Sequence, residues 1–195
     1  MKYKGKFVKQ PFNKLNKYIQ QHLLHTYHLR PMINHISKKG WKDIIGVEIG
    51  TLHGLNALSM LQNLDIKQLY LVDPYILYDD GINQYKNRDK DLKKAKQNLK
   101  QYKDKVTFVK KLSHDAIQDI PDNVDFVYID GNHSYCYVKR DIEEYYKKVR
   151  PGGIIGGHDF RVDCEGLCRA VLEFATKEKL KLHGWITDWW FEKEL

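Results

Sequence analysis

Two hydrophobic rhythms alternate along this chain. Short apolar runs of strand length, Ile44–Ile49, Leu69–Val72, Val106–Val109, Phe126–Ile129 and Ile154–Ile155, are separated by longer stretches of helical periodicity. Thr51–Asn63 sets Leu55, Leu58 and Leu61 towards a sheet. Asp89–Lys103 turns Leu92, Ala95, Leu99 and Tyr102 inward and covers its outside with lysines. Val138, Ile142, Tyr145 and Val149 make another stripe, broken by Pro151-Gly152-Gly153. Ser113 is placed to cap a short helix, His114–Ile120, and Leu167, Val171 and Phe174 mark a last one. Lys179–Ile186 and Trp189–Glu192 read as strands joined by a turn at Thr187-Asp188, with Trp185, Trp189 and Trp190 packing that hairpin.

Strands alternating with helices predict a mostly parallel sheet covered on both faces. The expected fold class is α/β: a Rossmann-like, doubly wound, mostly parallel seven-stranded sheet with a C-terminal antiparallel hairpin and N-terminal helices. Those helices are residues 12–28, with Phe12, Leu15, Ile19 and Leu23 on one stripe, and Met32–Lys38 before Gly40. They are expected to pack on the sheet edge or to cover part of a cleft. Residues 75–87, with Tyr75, Tyr78 and Tyr85, lack periodicity and read as a long loop, a frequent place for function. One domain, 1–195, accounts for the chain: a helical extension over 1–40 and a core over 41–195.

Composition narrows the class. A chain of 195 residues can bury one full core. It carries no apolar run of bilayer-spanning length and no apolar segment behind its basic N-terminus, so no membrane partner and a cytoplasmic location are expected. Cys136, Cys164 and Cys168 read as reduced thiols. The net charge of +8 points to an acidic partner such as nucleic acid. Against that, lysine is spread along the chain, arginine is scarce, and no nucleic-acid motif accompanies the charge. A homo-oligomer is left open.

The chemistry-bearing residues fall at strand ends. Asp130 and His133 follow one strand, and His158 and Asp159 follow the next. A right-handed crossover brings both ends to the carboxyl edge, where open α/β sheets place their ligands. The first strand ends in Glu48-Ile49-Gly50, followed by Thr51, Leu52, His53 and Gly54, and the second ends at Asp73. Glycines let a ligand approach the backbone, and an acid after the second strand can accept hydrogen bonds from a ribose diol. The pyrophosphate-admitting glycine of dinucleotide folds is missing, which favours a nucleoside ligand that makes no pyrophosphate contact and argues against a nicotinamide dehydrogenase.

The segments VEIGTLHGLNAL, LVDPY, FVYIDGNHSY, VRPGGIIGGHDF and GLCRAVLEF together resemble the class I S-adenosylmethionine-dependent methyltransferases. The nearer likeness is to the small-molecule O-methyltransferase branch with IDG-x-H-x-Y and HD signatures, over residues 41–195. The resemblance implies S-adenosylmethionine as cofactor, a small-molecule acceptor and transfer to a hydroxyl oxygen. It implies that Glu48, Gly50, Thr51 and Gly54 line the methionine part, that Asp73 binds the ribose, and that Leu112, Ser113 and His114 border the adenine. Asp130 then lies near the sulfonium and the acceptor, with His133, Tyr135, His158 and Asp159 facing the substrate.

Two chemistries remain open at the acceptor. His133 or His158 can act as a base, beside Asp130, because an imidazole titrates near neutrality. Alternatively Asp130, His158 and Asp159 hold a divalent metal. Hard ions such as Mg²⁺ prefer oxygen, and Mn²⁺ tolerates the imidazole better. The rival functions are an RNA or polyanion methyltransferase and a non-catalytic cofactor-binding protein.

Overall fold

The computed structural model describes residues 29–76, 88–185 and 187–195. The helix expected at 12–28 and the tyrosines Tyr78 and Tyr85 lie outside them. In chain order the elements are α1 (Pro31–Lys38), β1 (Ile44–Ile49), α2 (Leu55–Asn63), β2 (Ile66–Val72), α3 (Arg88–Asn98), β3 (Val106–Val109), α4 (Ser113–Ala116), β4 (Val124–Ile129), α5 (Tyr135–Lys148), β5 (Val149–Gly157), α6 (Glu165–Glu178), β6 (His183–Trp185) and β7 (Asp188–Glu192).

The strands form one seven-stranded sheet in the order β3-β2-β1-β4-β5-β7-β6. β1 pairs with β2 and β4 in parallel, and β7 runs antiparallel to both β5 and β6. Order reverses between β1 and β4, so the crevice for a ligand opens beyond Ile49 and Ile129. The strand pleat divides the core. Val127 and Ile129 face α5 and α6, with Val138, Ile142, Leu167 and Val171 packed on them. Phe126 and Tyr128 face the opposite layer, where Met32, Ile33 and Ile36 of α1 and Met60 and Leu61 of α2 close the core. The doubly wound α/β expectation is met by this arrangement, closing hairpin included.

Several local expectations shift. α2 begins at Leu55, not Thr51: Leu52 and Gly54 adopt left-handed backbone (φ 47° and 70°), which holds the helix off until the next turn. Its buried face is therefore Ala57, Met60 and Leu61, and Leu55 is 51% exposed. Ser113 lies inside α4 and caps nothing; its hydroxyl donates to Asp141 Oδ1 at 2.6 Å. Pro151-Gly152-Gly153 does not end the helix before it, because β5 already starts at Val149. Its register against β4 slips between Val124 and Phe126, which accommodates the proline and glycines. Asp188 belongs to β7 and is buried, whereas Trp185 is 70% exposed and packs no hairpin core; Trp189 and Trp190 do. α1 sits on the face of the sheet over β5, β7 and the edge strand β6, which agrees with packing at the sheet edge.

Candidate functional site

At the carboxyl edge the chain opens into a cavity of about 280 Å³ bordered by Gly50, Asp73, Leu112, Ser113, Asn132 and Asp141, among others. Two glycines, Gly50 and Gly131, are in its lining. Gly50 has φ 88°, and a Cβ there would stand 2.0 Å from the Asp130 carbonyl oxygen, so only glycine lets the β1 and β4 ends cross this closely. Leu52, Tyr75 and Asp159, which follow β1, β2 and β5, all take the left-handed conformation at φ 47°, 49° and 61°. Such strain in bulky residues persists only where neighbours fix it, and it gathers at functional sites.

Asp73 does much of that fixing. One carboxylate oxygen accepts the Leu52 N–H at 3.0 Å. The other accepts the Tyr75 N–H at 2.8 Å and the Arg88 guanidinium at 2.7 Å. The Tyr75 hydroxyl returns a bond to the Leu52 carbonyl at 3.0 Å. A carboxylate offers about four acceptor positions, so about one is left for a ligand hydroxyl.

Glu48 is buried behind this loop and accepts from Asn56 Nδ2 at 2.9 Å. Burial pushes its carboxyl from the ordinary 4.5 up to about 8, against the Asn56 bond and with help from the Asp130 charge. Its second oxygen and the Thr51 hydroxyl are buried without a well-aligned partner among the described residues. Gly54 caps α2, and its N–H donates to the Thr51 carbonyl at 2.7 Å. His114 lies against Asp115 at 3.5 Å and is not itself among the residues that border the cavity, although Leu112 and Ser113 are. Asp141 on α5 is a second buried acid, raised by burial from 3.8 to about 7 against the Ser113 bond.

The other half of the edge is charged. His133 Nε2 lies 2.9 Å from Asp159 Oδ2, and His158 Nδ1 lies 3.3 Å from Asp159 Oδ1. Burial works to raise the Asp159 carboxyl, but bonds from His133 and His158 hold it well below the usual carboxylate range. His158 Nε2 is 2.7 Å from the Thr187 hydroxyl and 4.0 Å from Asp188. Tyr135 turns away from this cluster and donates to Glu173 at 2.5 Å. Asp130 bonds the Arg30 guanidinium at 3.0 Å.

Of the residues expected from sequence, Asp130, His133, His158 and Asp159 thus share one edge with Gly50 and Asp73. The donor atoms that gather for a metal, within 4.8 Å of one another, belong to Asp130, His133 and Asp159. His158 is not one of them, and Asp130 already holds a cation. A divalent ion does not fit these residues as they stand. A nucleoside cofactor does fit, through Gly50 in the cavity lining and the remaining acceptor position on Asp73. Sequence reasoning missed Arg30, Arg88, Asp141 and Asp188. Only Asp141 left a local sign: an acid within the apolar stripe of Val138, Ile142 and Tyr145.

Comparison with known proteins agrees with this architecture. The methyltransferase domain family matches residues 47–160. An uncharacterized protein of Acanthamoeba polyphaga mimivirus is 29% identical over 163 residues, which is 81% of this chain; the chain spans 66% of that relative's length. The O-methyltransferase from Bacillus cereus, solved with S-adenosylhomocysteine, is similar at TM-score 0.63 and 17% identity, covering 95% of this chain and 94% of that one. An rRNA methylase from Streptococcus thermophilus is similar at TM-score 0.62 and 14% identity, covering 85% and 98%. At these identities the two structures show the fold. The family match spans more than half of the chain: it belongs to the methyltransferase domain family.

Proposed function

We propose that this protein transfers a methyl group from S-adenosylmethionine to a hydroxyl oxygen of a small molecule. The observation that carries the reading is the pairing, at one sheet edge, of a cavity lined by Gly50 and Asp73 with an imidazole–carboxylate cluster. The cofactor supplies an electrophilic methyl group; everything else falls to side chains of this chain. The Gly50 backbone and Asp73 bind the methionine and ribose parts, and Ser113 and Asp141 close the adenine end. Glu48, neutral at pH 7, meets the cofactor's polar groups without adding charge to a buried site.

The acceptor hydroxyl must lose its proton as its oxygen attacks. His133 is the base. Asp159, kept ionised by its neighbours, stabilises the imidazolium that forms and orients the ring, as a carboxylate does in other imidazole bases. His158 supports Asp159 from the far side while Thr187 holds its other nitrogen. Asp130 borders the reacting centre. The free thiols among the described residues support a reducing compartment, hence a cytoplasmic place of work.

Calorimetry with S-adenosylhomocysteine tests the reading. One site per chain is expected, with Asp73→Ala weakening it by about tenfold or more, about 1.4 kcal/mol. A flat titration of folded protein ends the methyltransferase proposal. The rival RNA substrate is favoured by the +8 charge and predicts RNA binding that weakens steeply with salt. Absence of such binding, with labelled methyl transfer to a hydroxylated small molecule, removes it.

A further inference from the structure

Arg30 precedes α1, 100 positions from Asp130 in sequence, yet its guanidinium lies at the acceptor end of the site. Nη1 donates to Asp130 Oδ2 at 3.0 Å and to the Tyr128 hydroxyl at 2.9 Å. The Tyr128 hydroxyl donates in turn to Asp188 Oδ1 at 3.0 Å. Asp188 Oδ2 accepts the N–H of Met32, two residues beyond Arg30, also at 3.0 Å. The arginine is therefore held at both ends: its side chain by β4 and its backbone neighbourhood by β7. Burial works against its charge, but the Tyr128 oxygen and the Asp130 and Asp188 carboxylates outweigh that and make it a permanent cation.

The position of that cation matters because of what surrounds it. Asp130, His133 and Asp159 bring three donor atoms within 4.8 Å of one another, a donor set that suits a divalent ion. A divalent ion on Asp130 would need an oxygen at about 2.0–2.6 Å, on a carboxylate whose Oδ2 is already bonded by a guanidinium. Two cations held on one carboxylate group repel. Arginine is also the cation suited to the place. It stays charged at any working pH and offers about five N–H donors, of which the two bonds above use two. Its side chain keeps 31% of its surface exposed, so other donors remain accessible.

We infer that Arg30 is a built-in cation standing where a divalent metal would otherwise bind, so that this site carries out methyl transfer without a metal. This rests on the methyltransferase reading. Arg30 neutralises Asp130, keeps a second cation out, and supplies fixed positive charge at the end of the site where an acceptor oxygen becomes anionic. The segment ahead of α1 thereby belongs to the active site and is more than a cover over the sheet.

The test is Mn²⁺ binding, read by paramagnetic resonance and calorimetry, on protein first stripped with EDTA. Wild type is expected to bind Mn²⁺ only weakly and to keep full methyl transfer after stripping. Arg30→Met, which keeps bulk and removes charge, should bind Mn²⁺ at least about tenfold more tightly, and Asp159→Asn added to it should abolish the gain. Arg30→Lys, which keeps the positive charge, should keep the weak Mn²⁺ affinity of wild type; tight binding there overturns the inference. Tight Mn²⁺ binding by wild type, or activity lost on stripping and restored by Mn²⁺, overturns the inference; so does an unchanged Mn²⁺ affinity in folded Arg30→Met. If Arg30→Met fails to fold, the wild-type measurements decide alone. S-adenosylhomocysteine titrations of the same samples separate the two levels. Cofactor binding together with tight wild-type Mn²⁺ binding sinks only the metal-free inference, whereas absent cofactor binding sinks the function.

Discussion

The two halves of the carboxyl edge solve opposite electrostatic problems. Around β1, β2 and α4 two acids are buried and driven towards neutrality, Glu48 to about 8 and Asp141 to about 7, because burial outweighs the pull of Arg30 on the first and of Arg140 on the second. Asp73, the acid there that stays paired, holds Arg88 at 2.7 Å. Around β4, β5 and β7 the acids are surrounded by cations and imidazoles: Asp130 by Arg30, Asp159 by His133 and His158. The first half is built to seat an adenine and a ribose, groups that need shape and neutral hydrogen bonds. The second is built to hold charge still while a proton moves. Burial raises the Glu48 and Asp141 carboxyls in the first half; in the second, the His133 and His158 bonds hold Asp159 low against burial, while burial raises Asp188 in spite of its partners.

Substitutions can break this contrast. The largest effect is expected at their junction. Gly50→Ala places a Cβ 2.0 Å from the Asp130 carbonyl in a backbone conformation alanine avoids, so β1 and β4 must part. A loss of about 3 kcal/mol in chemical-denaturation stability is expected, with cofactor binding undetectable. An alanine variant of native stability with intact binding would show that the halves do not depend on this crossing. Next comes His133→Ala, which should lower kcat by about 10²- to 10⁴-fold and leave S-adenosylhomocysteine affinity within about threefold, because it removes a group from one half only. His158→Ala should cost less, since it acts through Asp159. A larger loss at His158 than at His133 would reverse the assignment of the base.

How much of this was legible in the sequence follows the same division. β1 and β3 have the bounds expected, and Gly50, Asp73 and the Asp130 region sit where short-range patterns put them, because hydrophobic period and glycine placement are local signals. What local signals miss is geometry set from afar. Arg30 meets Asp130 only because α1 packs over β5 and β7. Asp188 looked like a turn residue, yet pairing with β6 carries it into β7, where Tyr128 and Met32 reach its carboxylate. The left-handed backbone at Leu52 rotated α2 and exposed Leu55, and that conformation is imposed by Asp73 from the neighbouring strand. Asp141 was the exception: an acid in an apolar stripe is a readable anomaly.

The smallest effect, a slope read per pH unit, is the most direct reading of the contrast. Glu48 rises from 4.5 to about 8, and Asp141 from 3.8 to about 7. Between the ordinary and the folded values the native chain holds protons that the unfolded chain has released. Stability therefore falls as pH rises through that window. Asp159 has the opposite sign: its folded value is depressed, so its contribution is present above the ordinary carboxyl range and is lost as pH falls below it. The cofactor-free protein should thus unfold at a lower temperature near pH 8 than near pH 5, with a slope of at most about 1.4 kcal/mol per pH unit for each neutral acid. Glu48→Gln keeps the acceptor for Asn56 and removes the titration, so it should flatten the slope by about one proton's worth without touching the acid limb. A variant with the wild-type slope would mean that Glu48 is ionised in the fold, and the two halves would then share one electrostatic design.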